Sequence, residues 1–374
     1  MSKASLTDIF GDIPDPRVQG RCDHLLINII VIAICAVLAG AEGWEEIEEF
    51  GKTKERWLRG FLTLPKGIPS HDTFRRVFGF LDAEAFQQRF IEWVELSLGR
   101  SGDQVVAIDG KSLRRSHRGG QGMLHLVSAW ASESGLVLGQ QKVDEKSNEI
   151  TAIPKLLEAL YLGGCIVTID AMGTQKSIAK QIVEAKADYI LALKGNQSQL
   201  HQDVIEWFDW ALSQQVNAPP VAFYQQTCKG HGRIEVRRCW VIDDDEAFDH
   251  IRHYDGWAGL QSIIMLQRER HIKGKVQHET SYYISSLPAD AQRIAHAIRA
   301  HWSIENSLHW VLDVTFNEDQ SRLRSGDSAV NFATLRHVAL NLLKRHPAKL
   351  SLKRKRFKAA LDENFLFELL QSQI

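Results

Sequence analysis

The sequence has no paired cysteines, no apolar run long enough to span a bilayer and no excess of charge of either sign. Each absence removes a class of protein. The five cysteines, Cys22, Cys35, Cys165, Cys228 and Cys239, show no CxxC spacing. That sets aside a disulfide framework and a cysteine zinc site, and fits reduced thiols in a cytoplasmic chain. The mostly apolar run from Leu25 to Ala39 contains Asn28 and is shorter than the roughly 20 residues that cross a bilayer. It follows Asp and Pro residues, too late for a secretory signal, and is read as a buried helix. The formal net charge is −1, so any polyanion partner must be argued from local patches. Neither low complexity nor an internal repeat is present. The 374 residues leave room for two or three domains with a substantial core.

Residues 1–97 read as a helical domain. Ile13-Pro14-Asp15-Pro16-Arg17 is a turn, the buried helix ends at Gly40, and an acidic amphipathic helix begins near Trp44. Ser70 is a good N-cap for a helix displaying Thr73, Arg75 and Arg76. A short helix, a Gly/Pro turn and a Thr/Arg-rich helix are compatible with helix-turn-helix DNA binding, and equally with a capped helix in a small bundle.

From residue 98 the pattern changes to mixed α/β. Val105–Ile108 is a β-branched run leading into Asp109. Met123–Trp130 and Leu136–Val143 read as a hairpin closed at Ser134-Gly135. A helix carries Pro154 in its first turn, Cys165–Ile169 is a buried strand leading into Asp170, and Tyr189–Leu193 is a further strand. Three strands, then strands alternating with helices, is the order of a ribonuclease-H-like layer. Residues 196–287 read as a β-rich insert. The catalytic region is expected to run to residue 345, and 346–374 to be a basic tail.

Projected at about 100° per residue, Ile294, Ile298, His301, Glu305, Leu308 and Leu312 share one line. A glutamate on such an apolar stripe is costly to bury as a charge unless paired. Its partner is either an arginine or His301, or a metal ion shared with other carboxylates. Asp109 and Asp170 each end an apolar β run, and groups at strand ends sit at the sheet rim where ligands bind. Two aspartates there, completed by a glutamate, form an oxygen-only set suited to two Mg²⁺ or Mn²⁺ ions, which together support phosphodiester chemistry. Asp313 and Asp319 are further acids that fit the stripe less well. His301, Glu305 and His309 recur every four residues, but no HExxH or cysteine pair accompanies them to support zinc.

Basic residues gather in three more places. Lys111, Arg114, Arg115, His117 and Arg118 follow Asp109. His231, Arg233 and Arg237 share one strand face with Glu235, as either a track for a DNA backbone or a salt-bridge ladder. Residues 344–358 carry eight Lys or Arg, among them Lys353, Arg354, Lys355 and Arg356, and no acid. That suits phosphate backbones or a solvated tail.

The chain resembles the DDE transposases of bacterial insertion sequences, and in particular the H-repeat-associated group. The resemblance rests on Asp15-Pro16-Arg17, Leu38-Ala39-Gly40-Ala41, Trp44-Glu45-Glu46-Ile47 and Gly67 to Arg76. In the catalytic part it rests on Ala107-Ile108-Asp109-Gly110-Lys111, Asp170 to Gln175, Leu193-Lys194-Gly195-Asn196-Gln197, Gly230 to Glu235 and His301 to Asn306. It implies a ribonuclease-H-like core with a β insert before the third acid. It also implies metal-dependent cleavage and strand transfer at element ends, with Asp109, Asp170 and Glu305 as metal ligands. Double-stranded DNA is the implied partner, bound by a homodimer. Lys194, Asn196, His301 and Asn306 join the expected DNA contacts. The wider family often carries Tyr-x2-Arg-x3-Glu-x6-Lys around the third acid. Here Ile298, His301 and Leu312 stand at the Tyr, Arg and Lys positions. A copy that binds DNA without cutting it, and a metal-dependent nuclease serving no mobile element, are the alternatives the sequence leaves open.

Overall fold

The computed structural model describes residues 6–18, 20–98, 102, 104–116, 122–144, 147–213, 220–230, 232–272 and 274–371. His117, Arg118 and His231 lie outside them. Two compact units are present. One comprises Met1–Arg100, Gly110–Asn148 and Glu305–Ile374, the other Ser101–Asp109 and Glu149–Ile304.

The first unit opens with helices α1 (Leu6–Phe10), α2 (Leu26–Leu38), α3 (Trp44–Thr53), α4 (Glu55–Leu58), α5 (His71–Phe80) and α6 (Ala83–Leu98). Ser70 caps α5 as expected, its hydroxyl accepting from the Thr73 amide at 3.3 Å. The Leu25–Ala39 run forms α2, buried along almost its whole length. Among the described residues no helix is long and apolar enough to cross a membrane. β1 (Val105–Leu113) passes from the second unit into the first, where the order is β3-β2-β1, with β2 (Leu124–Ala131) antiparallel to β3 (Leu136–Lys142).

The second unit continues with α7 (Glu149–Ala159), β4 (Ile166–Ile169), α8 (Lys176–Glu184), β5 (Asp188–Leu193), α9 (Ser198–Ser213), β6 (Ala222–Gly230), β7 (Arg233–Ile242), α10 (Asp245–His250), β8 (Ser262–Ile272), β9 (Lys275–Ser285) and α11 (Ala291–His301). Its strand order is β1-β4-β5-β9-β8-β7-β6. β1, β4 and β5 are parallel, and β9 joins β5 antiparallel. These orders are those of a ribonuclease-H-like layer, and the β-rich insert extends the sheet at β5. The apolar side of α11, with Ile294, Ala297 and Ile298, packs on Val105, Ile166, Ile190, Val241 and Ile264. This burial fixes α11 across the strands that carry the candidate acids.

The chain then returns to the first unit through a π-helical turn, Glu305–His309, and α12 (Trp310–Thr315), α13 (Ser328–Arg345), α14 (Leu352–Leu361) and α15 (Glu363–Gln371). α13 is the axis of this unit. Asn331 donates to the Phe78 and Leu81 carbonyls, each at 2.8 Å, closing the end of α5. Asn341 exchanges two 2.9 Å hydrogen bonds with the Val137 backbone of β3. Both amides replace water for buried backbone groups that would otherwise be unpaired.

The segment expected to be a basic tail is instead α14 and α15, with Phe365, Leu366 and Leu369 buried. Lys355 is 5% and Arg356 7% exposed. Lys355 Nζ donates to the Leu343 and His346 carbonyls at 2.7 and 2.8 Å, and Arg356 to the Val37 carbonyl at 3.0 and 3.2 Å. They satisfy the last carbonyls of α13 and α2, where helix ends favour cations. This face of the cluster therefore serves the fold.

Lys111 is likewise inward. It pairs with Asp313 and, at 2.9 Å, with Glu318, which also meets Arg336 at 3.4 Å. The side chains of Glu318 and Arg336 are each 2% exposed. Burial raises the Glu318 carboxyl, but the charges of Lys111 and Arg336 outweigh it and hold the group below its ordinary value.

Two outcomes follow for stability. Glu318→Gln leaves the buried Arg336 without its carboxylate and Lys111 with Asp313 alone, and should cost about 3–5 kcal/mol in urea unfolding. Because the folded-state pKa of Glu318 is depressed, its contribution is present above the ordinary carboxylate value and lost as pH falls through the folded one. The variant should lack that part of the acid sensitivity. Gly326→Ala should cost about 2 kcal/mol or more. Gly326 has φ +53° and its Cβ would collide with the Gly79 carbonyl, which already accepts from the Asp327 amide at 3.1 Å.

Candidate active site

The second unit brings Asp109 and Asp170 together. β1 and β4 are paired in parallel from Val105↔Ile166 to Ile108↔Ile169, and the two aspartates are the next residue on each strand. Asp170 ends its strand as expected. Asp109 does not, since β1 runs on to Leu113. The pairing with β4 stops at Ile108, however, so Asp109 still sits at the open end of the β1–β4 ladder. Both are half-buried.

Asp170 also shapes the backbone that follows. Its Oδ1 accepts from the Met172 amide at 3.1 Å and the Gly173 amide at 3.4 Å, capping a short 3₁₀ turn. The Lys194–Gln197 motif supports that turn. Asn196 donates to the Ala171 carbonyl and Gln197 to Thr174 O at 2.9 Å. Asn196 is thus held as a brace of the Asp170 loop, while Lys194 at the end of β5 is exposed. Burial, then the charge of Glu149, then that of Asp109 push the Asp170 carboxyl up, and the Gly173 and Met172 amides oppose them only in part. The result is a half-buried Asp170 carboxyl whose charged form is disfavoured.

His301, at the C-terminus of α11, faces this place. Its Nδ1 lies 2.9 Å from Thr168 Oγ1 on β4. Burial lowers its pKa against the opposing charges of Asp109 and Asp170. The residue at the family's arginine position is thus a half-buried imidazole in the field of both aspartates.

Glu305 departs from the expected stripe. The helix is interrupted at Trp302 and rewound as the π turn, so a projection of 100° per residue fails across it. Ile304 takes the buried position, at 0% exposure, and Glu305 is exposed. Because it is exposed, the cost of burying its charge does not arise, and it belongs to the first unit. Among the described residues no group of three or more His, Cys, Asp or Glu side chains stands at metal-ligand spacing. The donor chemistry of Asp109 and Asp170 nonetheless fits a hard divalent cation, since both supply carboxylate oxygens and Asp170 is held at the expense of its charged form.

The other expected DNA contacts are dispersed. Lys111, Lys355 and Arg356 are engaged in the first unit as described, which argues against their reaching DNA. Arg114 is exposed beside Asp319 at 3.1 Å, and Arg115, Arg233, Asn306, Lys353 and Arg354 are exposed. Arg75 and Arg76 project from α5 and line a groove of about 820 Å³ with Phe80, Arg322 and Arg324. Arg237 lies in an arginine cluster with Arg268, Arg270 and Arg299, three residues that strand alternation alone did not single out. The Arg268-Glu269-Arg270 alternation was an available signal for two of them, while Arg299, on α11, is brought there only by the fold.

Residues 7–94 match the family model for the DDE_Tnp_1-associated region, and residues 100–342 match the Transposase DDE domain. The chain is 43% identical over 378 residues to YncI of Escherichia coli O157:H7, which carries a transposase name, covering 100% of this chain and 96% of that one. It is 40% identical over 378 residues to the H repeat-associated YhhI of Escherichia coli K12, covering 99% and 98%. A piggyBac transposase in a synaptic complex with hairpin DNA gives a TM-score of 0.41 at 11% identity, covering 98% of this chain and 77% of that one; a likeness at that level adds nothing to the assignment. The two matched regions and the full-length relatives place the chain in the DDE transposase family, among its H repeat-associated members.

Proposed function

We propose that this transposase cleaves DNA at the ends of its insertion sequence and joins them to target DNA, with Asp109, Asp170 and Glu305 as ligands of two Mg²⁺ ions, for which Mn²⁺ substitutes. The observation that carries the reading is the Asp109–Asp170 pair, half-buried one residue past a parallel strand pairing and electrostatically opposed to itself. Bound divalent ions would supply an activated oxygen nucleophile and stabilise the leaving oxygen of the phosphodiester. The protein's own part is to hold the two carboxylates at fixed register and to brace the Asp170 loop through Asn196 and Gln197. His301 keeps a neutral imidazole against Thr168. Glu305, at the family's third acid position in an exposed π turn, supplies the remaining carboxylate. The DNA partner is double-stranded, and a dimer on paired ends acts in the cytoplasm.

Full-length protein with Mg²⁺ and duplex DNA bearing the element's own ends should nick and then join that DNA. Asp109→Ala should lower both by roughly 10³-fold or more, because a lost ligand forfeits several kcal/mol of transition-state stabilisation. Undiminished activity in that variant would sink the assignment. Hydrolysis without joining would instead identify a nuclease, and end binding with no cutting in Mn²⁺ an inactive copy. In a metal-free thermal melt, Asp109→Asn should unfold cooperatively, as the wild type does. It should also lose the upward shift that millimolar Mg²⁺ or Mn²⁺ gives the wild type.

A further inference from the structure

On one face of the insert, β7 presents Glu235 and Arg237 and β8 presents Arg268 and Arg270. The register Arg237↔Arg268 and Glu235↔Arg270 sets the four in a square. Glu235 is 5% exposed and lies 2.8 Å from Arg237, 3.2 Å from Arg270 and 4.0 Å from Arg268. From α11, Arg299 reaches the same face, donating to Gln226 Oε1 at 2.7 Å and lying 3.3 Å from Cys228 Sγ. Register places those two residues opposite Arg237 and Glu235.

We propose that this cluster, Arg237, Arg268, Arg270 and Arg299 gathered around Glu235, docks the phosphodiester backbone of duplex DNA beside the aspartate pair. The inference rests on reading the chain as an enzyme that acts on DNA.

Charge is the first argument. The cluster's four guanidinium groups face two carboxylates, Glu235 and Glu279, the latter paired with Arg268, so the cluster keeps a formal excess of two positive charges, and Arg233 lies further along the same face of β7. On the opposite face Arg238 is matched by Glu269, which also holds His271. Pre-ordering is the second argument. Burial pushes the Glu235 carboxyl up, but the neighbouring arginines prevail and hold it below its ordinary value. Glu235 therefore stays ionised and fixes guanidinium groups that would otherwise lose side-chain entropy on meeting a ligand. Accessible donors are the third: Arg299 is exposed and the Arg270 side chain is 32% exposed. Planar guanidinium groups with free N–H bonds match phosphate oxygens.

Position completes the case. Arg299 stands on α11, the helix whose last residue, His301, faces Asp109 and Asp170. The next residue, Trp302, is 43% exposed and packs its ring 5.7 Å from the Arg268 guanidinium. A backbone lying on the cluster is thereby led to the end of α11 where the acids are.

The test is the salt dependence of binding by the full chain to a duplex oligonucleotide of arbitrary sequence, in EDTA so that nothing is cut. Arg270→Gln with Arg299→Gln should reduce the slope of log K against log salt by about 2, one phosphate contact per guanidinium. Arg270→Lys with Arg299→Lys should restore it. If the double glutamine variant does not fold, Arg299→Gln alone, on the exposed side of α11, should reduce the slope by about 1. An unchanged slope overturns the proposal, whether the thermal midpoint holds or falls. So does an unchanged slope with weakened self-association, which would assign the face to a second copy. A wild type whose binding follows the predicted slopes but which never cuts with Mg²⁺ would leave this proposal standing and sink the catalytic reading. A wild type that cuts, with slopes unmoved by the variants, would do the reverse.

Discussion

Two carboxylates held against one another at the open end of a parallel strand pair are the constraint on which the second unit depends. Like charges at neighbouring strand ends repel, and partial burial increases that repulsion by reducing screening. The fold sustains the arrangement because the strands beneath are fixed by apolar contact. Val105, Ile166 and Ile190 on one side of the layer pack against Ile294, Ala297 and Ile298 of α11. The same packing delivers His301 to the aspartates and Arg299 to the insert. One hydrophobic contact surface thus orients an acid pair, an imidazole and a guanidinium without any of them contributing to the core.

The first unit solves a different electrostatic problem. Its two most buried helices, α2 and α13, end in buried carbonyls, and α14 supplies Arg356 and Lys355 to those ends. Between α12 and α13, Glu318 is deeply buried and survives as a charge because Lys111 and Arg336 flank it. Cations that look like nucleic-acid contacts in the sequence are in these places the counterions of the protein's own backbone and carboxylates. Arg75 and Arg76, Lys353 and Arg354 remain outward and keep the polyanion reading open for that surface.

Much of the fold was legible. β-branched runs ending near Asp109 and Asp170, the Ser134-Gly135 hairpin, the Ser70 cap, the buried α2 and the β-rich insert follow from local periodicity and turn chemistry, and all appear in the structure. The individual strands of the insert were less legible: β6 has no buried residue, and Ala222 to Gly230 carries little apolar contrast. Glu305 was misplaced because a helical projection assumes an uninterrupted 3.6-residue period. The break at Trp302 and the π turn after it reset the phase, so Ile304 is buried and Glu305 is not.

The sequence by itself determined most of the order of elements and that Asp109 and Asp170 follow two apolar β runs, because strand and helix periods and turn chemistry are local properties. Tertiary structure decided which charges are available to a ligand. Lys111 and Arg237, or Arg354 and Arg356, are indistinguishable as residues in a string. Their roles diverge only when long-range packing turns Lys111 to Asp313 and Glu318 and Arg356 to the end of α2, gathers Arg237 with other arginines around one carboxylate, and leaves Arg354 exposed. Availability of a charge is set by desolvation and by neighbours distant in sequence, and no local pattern encodes either.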